Sequence, residues 1–366
     1  GLLLERGVNK DYIIDYNAGE IKFNPTYPIV STMRIKVEYQ FTDRNYTRFL
    51  GFGGGNYTSD KLDFGVYVYT ESDAKNQPLQ QNLSEEQVAI LEAAGDDRSQ
   101  MVAPSAVPDT YSENKILYKK EQIEGIEAFV FSNDPEDELY NVRFTLVGEG
   151  MGNYILSEAN AINRILEYVP PINGILQGNY EPIIQLSAPE KLQVGGINGR
   201  YHPSEKTNVF FEIAGSKNDL NLFSDIDNEN NDGFAGKLDA RQTILKPTEN
   251  RKLDVFTNLD FINEDFRTIE RLYSVEYNRD WNIDPQTTEF GDQRYITAGL
   301  DFSDSKIGTI RYEFQSRNLS ETDFSEKFDG NRHVLNSILH FGNFKIFTNG
   351  SSMQSDSETF ESNFFR

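Results

Sequence analysis

Apolar and polar residues alternate along much of this chain, and the alternation has the two-residue period of β-strands. In Arg34–Phe41 it is strict, with Ile35, Val37, Tyr39 and Phe41 on one face, the mark of a half-buried strand. Tyr12–Tyr16 and Ile21–Phe23 flank Asn17-Ala18-Gly19-Glu20, which predicts a hairpin with glycine where the turn needs it. Leu62–Tyr69, Ile126–Phe131 and Val142–Val147 repeat the strand pattern. Between Arg34–Phe41 and Leu62–Tyr69 lies Gly51-Phe52-Gly53-Gly54-Gly55-Asn56-Tyr57. No Lys-Ser/Thr follows it, so a flexible turn between strands is expected there rather than a phosphate loop.

From Lys191 onward the pattern becomes a meander of about nine amphipathic strands between 191 and 349. Leu253, Val255, Leu259 and Phe261 share one face, as do Ile296, Ala298, Leu300 and Phe302, then Ile310, Tyr312 and Phe314. Tyr273, Val275 and Tyr277 predict an earlier strand of the same kind. The opposite positions carry Lys, Arg, Asp, Glu, Asn and Thr. Connections at 202–206, 246–250 and 303–305 are tight, while 215–232 and 317–331 are long and polar. Short turns on one rim and long loops on the other are the pattern of a transmembrane barrel. Read this way, the alternation slips once, between 263 and 306. A soluble sandwich has the same strand period.

One helix interrupts the strands. Ser84 and Gln87 form a capping box, Leu83 and Val88 a hydrophobic staple, and Glu85 and Glu86 sit in the favourable first turn. With Gly95 as the stop, the helix spans 85–94. Residues 101–125 read as an irregular connection. The segment 157–168 fits either a helix capped by Ser157 or a hairpin turning at 160–163, with the hairpin favoured. Pro170-Pro171, Gly174 and Gly178 mark a linker, placing a boundary near 185 between a β-rich domain (1–185) and the meander (186–366). The fold class is therefore mainly β: an antiparallel domain followed by an amphipathic antiparallel meander forming part of a transmembrane β-barrel, with one short helix.

Composition narrows the functions. The 366 residues include 58 acidic and 35 basic ones, a formal charge of −23, which excludes nucleic acid as a partner because binding it requires clustered cations. Aromatic residues make up 13%, too many for a disordered acidic chain. With no cysteine, disulfide scaffolds and thiolate metal sites are ruled out. Acidic residues crowd two loops, one with Asp219, Asp225, Asp227, Glu229 and Asp232, the other with Glu321, Asp323, Glu326 and Asp329. Loops and a wet lumen tolerate such charge, whereas a lipid-facing surface does not. Tyr201, Phe223, Trp281 and Phe290 stand near strand ends, where they form either an interfacial girdle or the closing layer of a soluble core. The start at Gly1-Leu2-Leu3-Leu4 and the stop at Phe365-Arg366 read as cuts through a longer polypeptide.

Candidate chemistry is sparse. His202, His333 and His340 are the only histidines, and the last two, seven apart in one strand, point to opposite faces. No HExxH, Gly-x-Ser-x-Gly or thiol nucleophile occurs. Asp225–Gly233 has the alternating oxygen ligands of a calcium loop, but Asn230 and Gly236 occupy positions that an EF-hand gives to glycine and a bidentate glutamate. A solvated, turn-forming loop is the plainer reading. No catalytic, cofactor-binding or metal-ligating residue is assigned, no cofactor is expected, and no enzymatic activity.

Two stretches resemble a known group. Asp11-Tyr12-Ile13-Ile14-Asp15-Tyr16-Asn17-Ala18-Gly19-Glu20-Ile21 is similar to a hairpin motif of large Bacteroidota envelope proteins, including the giant barrel translocon of the type IX secretion pathway. Gly178–Pro182, Ala188–Gln193 and Phe211–Ser216 resemble the entry into the barrel of such surface proteins. The resemblance implies the outer membrane or cell surface, a multi-strand barrel in the parent protein, lipid and other envelope proteins as partners, and a structural, transport or envelope-assembly role. It transfers no functional residue. The competing expectation is a soluble secreted β-sandwich that binds or adheres, stabilised by calcium.

Overall fold

The computed structural model describes residues 3–7, 10–15, 20–25, 28–30, 33, 35, 37, 45–79, 83–157, 165–245, 251–273, 276–283, 291–322, 325–357 and 361–365. The chain divides into two compact units, Gly1–Asp43 and Arg44–Arg366. The expected boundary near 185 falls inside the second. In the first unit Tyr12–Asp15 pairs antiparallel with Glu20–Phe23, Tyr12 opposite Phe23 and Asp15 opposite Glu20, so the predicted hairpin is present. Its turn, 16–19, lies outside the described residues, as does most of the strand expected over 34–41.

The second unit is built on one eleven-stranded antiparallel sheet. In chain order its strands are β1 (Tyr46–Thr58), β2 (Leu62–Pro78), β3 (Lys191–Ser204), β4 (Thr207–Asp219), β5 (Asp232–Thr243), β6 (Arg251–Ile262), β7 (Gln293–Asp304), β8 (Gly308–Leu319), β9 (Phe328–Phe341), β10 (Phe344–Ser357) and β11 (Glu361–Phe365). Each pairs with its neighbours in sequence, and β2 pairs with β3 across the intervening residues 79–190. The Gly51–Tyr57 stretch, expected as a turn, is the middle of β1, paired from Gly51–Thr70 to Tyr57–Phe64. Glycine accepts extended backbone as readily as turn backbone, so the ladder decides. At Gly54 a Cβ would lie 2.8 Å from the Val66 carbonyl oxygen.

The connections sort by rim. From β1 to β10, 59–61, 205–206, 244–250, 305–307 and 342–343 lie on one rim and 79–190, 220–231, 263–292 and 320–327 on the other, where the three-residue link 358–360 to β11 also falls. The strand expected over Tyr273–Tyr277 falls partly on 274–275, outside the described residues, and its described ends are not in a strand. Tyr277 belongs to a short helix, Glu276–Asp280, inside the long connection 263–292. Removing that strand from the meander removes the slip in loop alternation as well.

Register places every residue on one of two faces. Val66, Ile197, Ile213 and Gly236 form one paired row, and Leu238, Leu259 and Ile296 another. These apolar rows are the exposed ones: Val68 is 63% exposed, Ile213 and Phe234 56% each. The opposite face carries Asn198, Glu212, Lys237 and Asp260 in paired positions, with Tyr67 beside them opposite Gly196, and there Asp254 and Phe256 are only 2% and 5% exposed. Apolar side out and charged side in is the reverse of a water-soluble sheet.

Residues 79–190 hold the helix α1 (Glu85–Ala94), with both hydrogen bonds of the Ser84–Gln87 capping box formed. Leu91 and Ala94 pack on Met101, Ala103 and Leu186. The 101–125 stretch is less irregular than expected. Leu117–Ile123 pairs with Ile126–Ser132 through a turn at Glu124-Gly125, whose φ angles of 53° and 84° are those of a two-residue hairpin. Tyr154–Leu156 pairs antiparallel with Leu166–Tyr168, as a hairpin requires, while 158–164 lies outside the described residues.

Candidate functional site

The charged face of the sheet carries a connected network. The Asp254 carboxylate accepts from Arg241 Nη1 at 2.9 Å and from Thr243 Oγ1 at 2.7 Å, with Lys252 Nζ 2.8 Å away. Arg241 also approaches Asp301 at 3.6 Å, and Arg311 reaches the same carboxylate at 3.3 Å while donating to Glu313. The Phe256 ring serves both guanidiniums, which lie 5.4 and 4.5 Å from its centre. On the first strands Arg48 forks onto Asp73 at 2.7 and 3.1 Å and reaches Glu71 at 2.6 Å. Buried charge is tolerated only when paired in this way.

Across this face lies part of the connection 263–292. Its N-terminal end sits on β4 and β5: the Arg267 N–H donates to Ser216 Oγ at 2.9 Å, and a Cβ on Gly233 would meet the Phe266 nitrogen. Tyr273 then donates to Asp260 Oδ2 on β6 at 3.2 Å and stacks on Tyr277, centroids 4.3 Å apart and 9° from parallel. Burial pushes both tyrosine hydroxyls above their ordinary range. Arg317 on β8 covers the Tyr277 ring and donates to Asn278 Oδ1 at 3.1 Å. Trp281, 1% exposed, ends the run among Leu319, Phe328 and Met353 of β8, β9 and β10. Ser216, Gly233, Asp260, Arg317 and Gly330 all belong to the charged face by register.

Between this segment and the sheet is a cavity of about 520 Å³, lined by Tyr67, Glu212, Lys237, Asp260, Arg271 and Tyr273 among others. Tyr67 donates to Glu212 at 2.7 Å, and Lys237 Nζ lies 3.6 Å from Asp260 Oδ1. A second, more open cleft of about 570 Å³ lies at the short-turn rim beside Asp60, Arg200, His202 and Glu205.

The residues singled out from sequence are dispersed. His202 lines the rim cleft; His333 bonds Tyr312 at 2.8 Å through Nδ1, and His340 is seven places along the same strand, on the opposite face. The Asp225–Gly233 loop follows a segment that docks on α1: buried Asn221 donates to the Leu91 and Gly95 carbonyl oxygens at 2.7 and 2.6 Å, and Ser224 to that of Glu92 at 2.8 Å. Within it, Asn231 Nδ2 donates to Asn228 Oδ1 at 2.5 Å. Among the described residues no group of three or more His, Asp or Glu side chains is placed to hold a metal ion. Asp96, beside Asp219 and Asp227, has its pKa raised to about 6, first by burial and then by those carboxylates. Of the proposed girdle residues, Tyr201 is exposed on the apolar face. Phe223 packs near α1 under Lys75, and Phe290 is outside the described residues. Trp281 is buried on the charged face, because its indole fills the space over Gly330. Sequence reading missed the Arg241–Asp254–Asp301–Arg311 network, although those residues are the polar half of the alternation it used.

A family described as a domain of unknown function, DUF8818, matches residues 1–43, the span of the first compact unit. No curated protein and no solved structure matches the chain.

Proposed function

We propose that the eleven-stranded sheet is part of an outer-membrane β-barrel with a structural, transport or envelope-assembly role, exposed at the cell surface. The observation that carries the reading is the inverted polarity of the sheet: its apolar side faces out and its ion-paired side faces in. Sorting of the short and long connections from β1 to β10 by rim supports it. So does the height of the apolar band. Leu253 to Phe261 covers roughly 26 Å along the strand at about 3.3 Å per residue. A tilt of about 40° reduces that to roughly 20 Å, near the apolar band of about 25 Å on known barrels. Lipid is then the partner of the outer face, and the resemblance to Bacteroidota envelope proteins points to the same membrane.

The test is a comparison of heated and unheated lanes from the native outer-membrane fraction after an alkaline carbonate wash. A carbonate-resistant band that shifts on heating is expected. Release into the wash with no shift would replace the barrel by a soluble β-sheet binding module.

A further inference from the structure

We propose that residues 263–273 and 276–283 constrict the mouth of this barrel, and that the site beneath them takes a small hydrophilic solute rather than a polypeptide. The inference rests on the barrel reading. The described part of the segment touches the charged face from Ser216 in β4 to Met353 in β10, six strand spacings, or roughly 29 Å at about 4.8 Å each. A connection that merely capped strand ends would touch only the adjacent β6 and β7. The face is also cut to receive it. A Cβ on Gly233 would stand 2.2 Å from the Phe266 nitrogen, and one on Gly330 3.0 Å from Trp281 Cε3, so both ends of the segment rest where the strands have no side chain.

What remains open beneath it is the cavity of about 520 Å³. That is within the range of small-molecule sites, about 300–1,000 Å³, whereas even one helix needs a bore of about 10–12 Å along its whole length. Lysine, arginine, three carboxylates and two phenols line it beside apolar side chains such as Phe266 and Ile269, so it offers donors and acceptors of both charge signs. Asp260 Oδ1 is buried there with no hydrogen bond among the described residues and with only the Lys237 ammonium nearby, at 3.6 Å, which leaves it able to accept from a hydroxyl or amine of the solute.

The chain has no cysteine, so single reporters are clean. Lys237→Cys under the segment and Asn336→Cys on the same face but away from it are labelled in the membrane-embedded full chain. The probes are a small charged maleimide and a maleimide carried on a bulky polyethylene glycol. The small probe is expected to reach both sites, and the bulky one only Asn336→Cys. Adding Trp281→Ala is expected to raise bulky labelling of Lys237→Cys about tenfold by freeing one end of the segment; Gly233→Ala, which lifts the other end, gives the same result with the indole intact. Equal bulky labelling of the two sites in the otherwise unaltered protein, still carbonate-resistant and heat-shifting, overturns the constriction alone. Loss of the heat shift and release by carbonate in the unaltered protein overturns the barrel and the constriction with it.

Discussion

The guanidinium of Arg317 lies 4.5 Å from the centre of the Tyr277 ring. Its side chain rises from β8, and the ring comes from a connection that leaves the sheet at β6, so the contact ties the connection to a strand two places away. The Arg317 residue is 3% exposed, and a desolvated cation–π contact contributes about 2 kcal/mol. The hydrogen bond to Asn278 adds about 1 kcal/mol. Arg317→Leu is therefore expected to lower unfolding stability by about 2–3 kcal/mol, read as a shift of the urea midpoint in detergent. Tyr277→Phe leaves the stacked ring in place and is expected to cost less than 1 kcal/mol. Equal losses from the two substitutions would show that the contact is not what holds the connection.

A second prediction concerns Gly299. The Phe256 ring lies across it: a Cβ there would approach Phe256 Cζ and the Tyr312 carbonyl oxygen to 2.5 Å each. The ring cannot move aside without leaving the Arg241 and Arg311 guanidiniums it serves. Gly299→Ala is expected to destabilise the sheet by about 1–3 kcal/mol through overpacking. Gly236, where the nearest atom to a Cβ is 3.9 Å away, is the control, and Gly236→Ala is expected to be neutral within about 0.5 kcal/mol.

Asp96 gives a pH dependence. Its carboxyl titrates near 6 in the fold against an ordinary 3.8, so the folded state holds the proton more tightly than the unfolded one. The group's favourable contribution is complete below about pH 3.8 and is lost as pH rises through about 6. At neutral pH the ionised group is held against burial and against the Asp219 and Asp227 carboxylates. Asp96→Asn is expected to raise the melting temperature at pH 7 and to leave it unchanged near pH 3.5. A variant that melts lower than the parent at pH 7 would mean that the ionised carboxylate is needed where it stands.

The legible parts of the structure were those fixed by neighbours in sequence. The α1 capping box needs only Ser84 and Gln87, and the meander needs only period two in strands such as Leu253–Phe261. What escaped was set by distant partners. The pairing of β2 with β3 crosses residues 79–190, and no local signal announces it. Gly51–Gly55 reads as a turn until Val66–Thr70 is laid beside it. Tyr273, Tyr277 and Trp281 are spaced four apart, a helical interval, but Val275 between the first two made the stretch look alternating. The Glu124-Gly125 hairpin was readable in principle, since strand-like residues flank it on both sides.

The last prediction separates lipid from water at the apolar face. Ile213 is 56% exposed and sits in the row Val66–Ile197–Ile213–Gly236, well away from both rims. In a soluble sheet an exposed isoleucine on such a face is replaceable, and Ile213→Arg would change stability by no more than about 0.5 kcal/mol while improving solubility. Facing hydrocarbon, the same substitution costs about 2–4 kcal/mol near the bilayer midplane. Ile213→Arg is therefore expected to reduce the heat-shifting, carbonate-resistant population sharply. Glu212→Gln, one residue away on the charged face, keeps its size and is expected to leave that population intact, with only the Tyr67 contact weakened. If the arginine variant accumulates in the membrane as the parent does, the apolar face does not meet lipid.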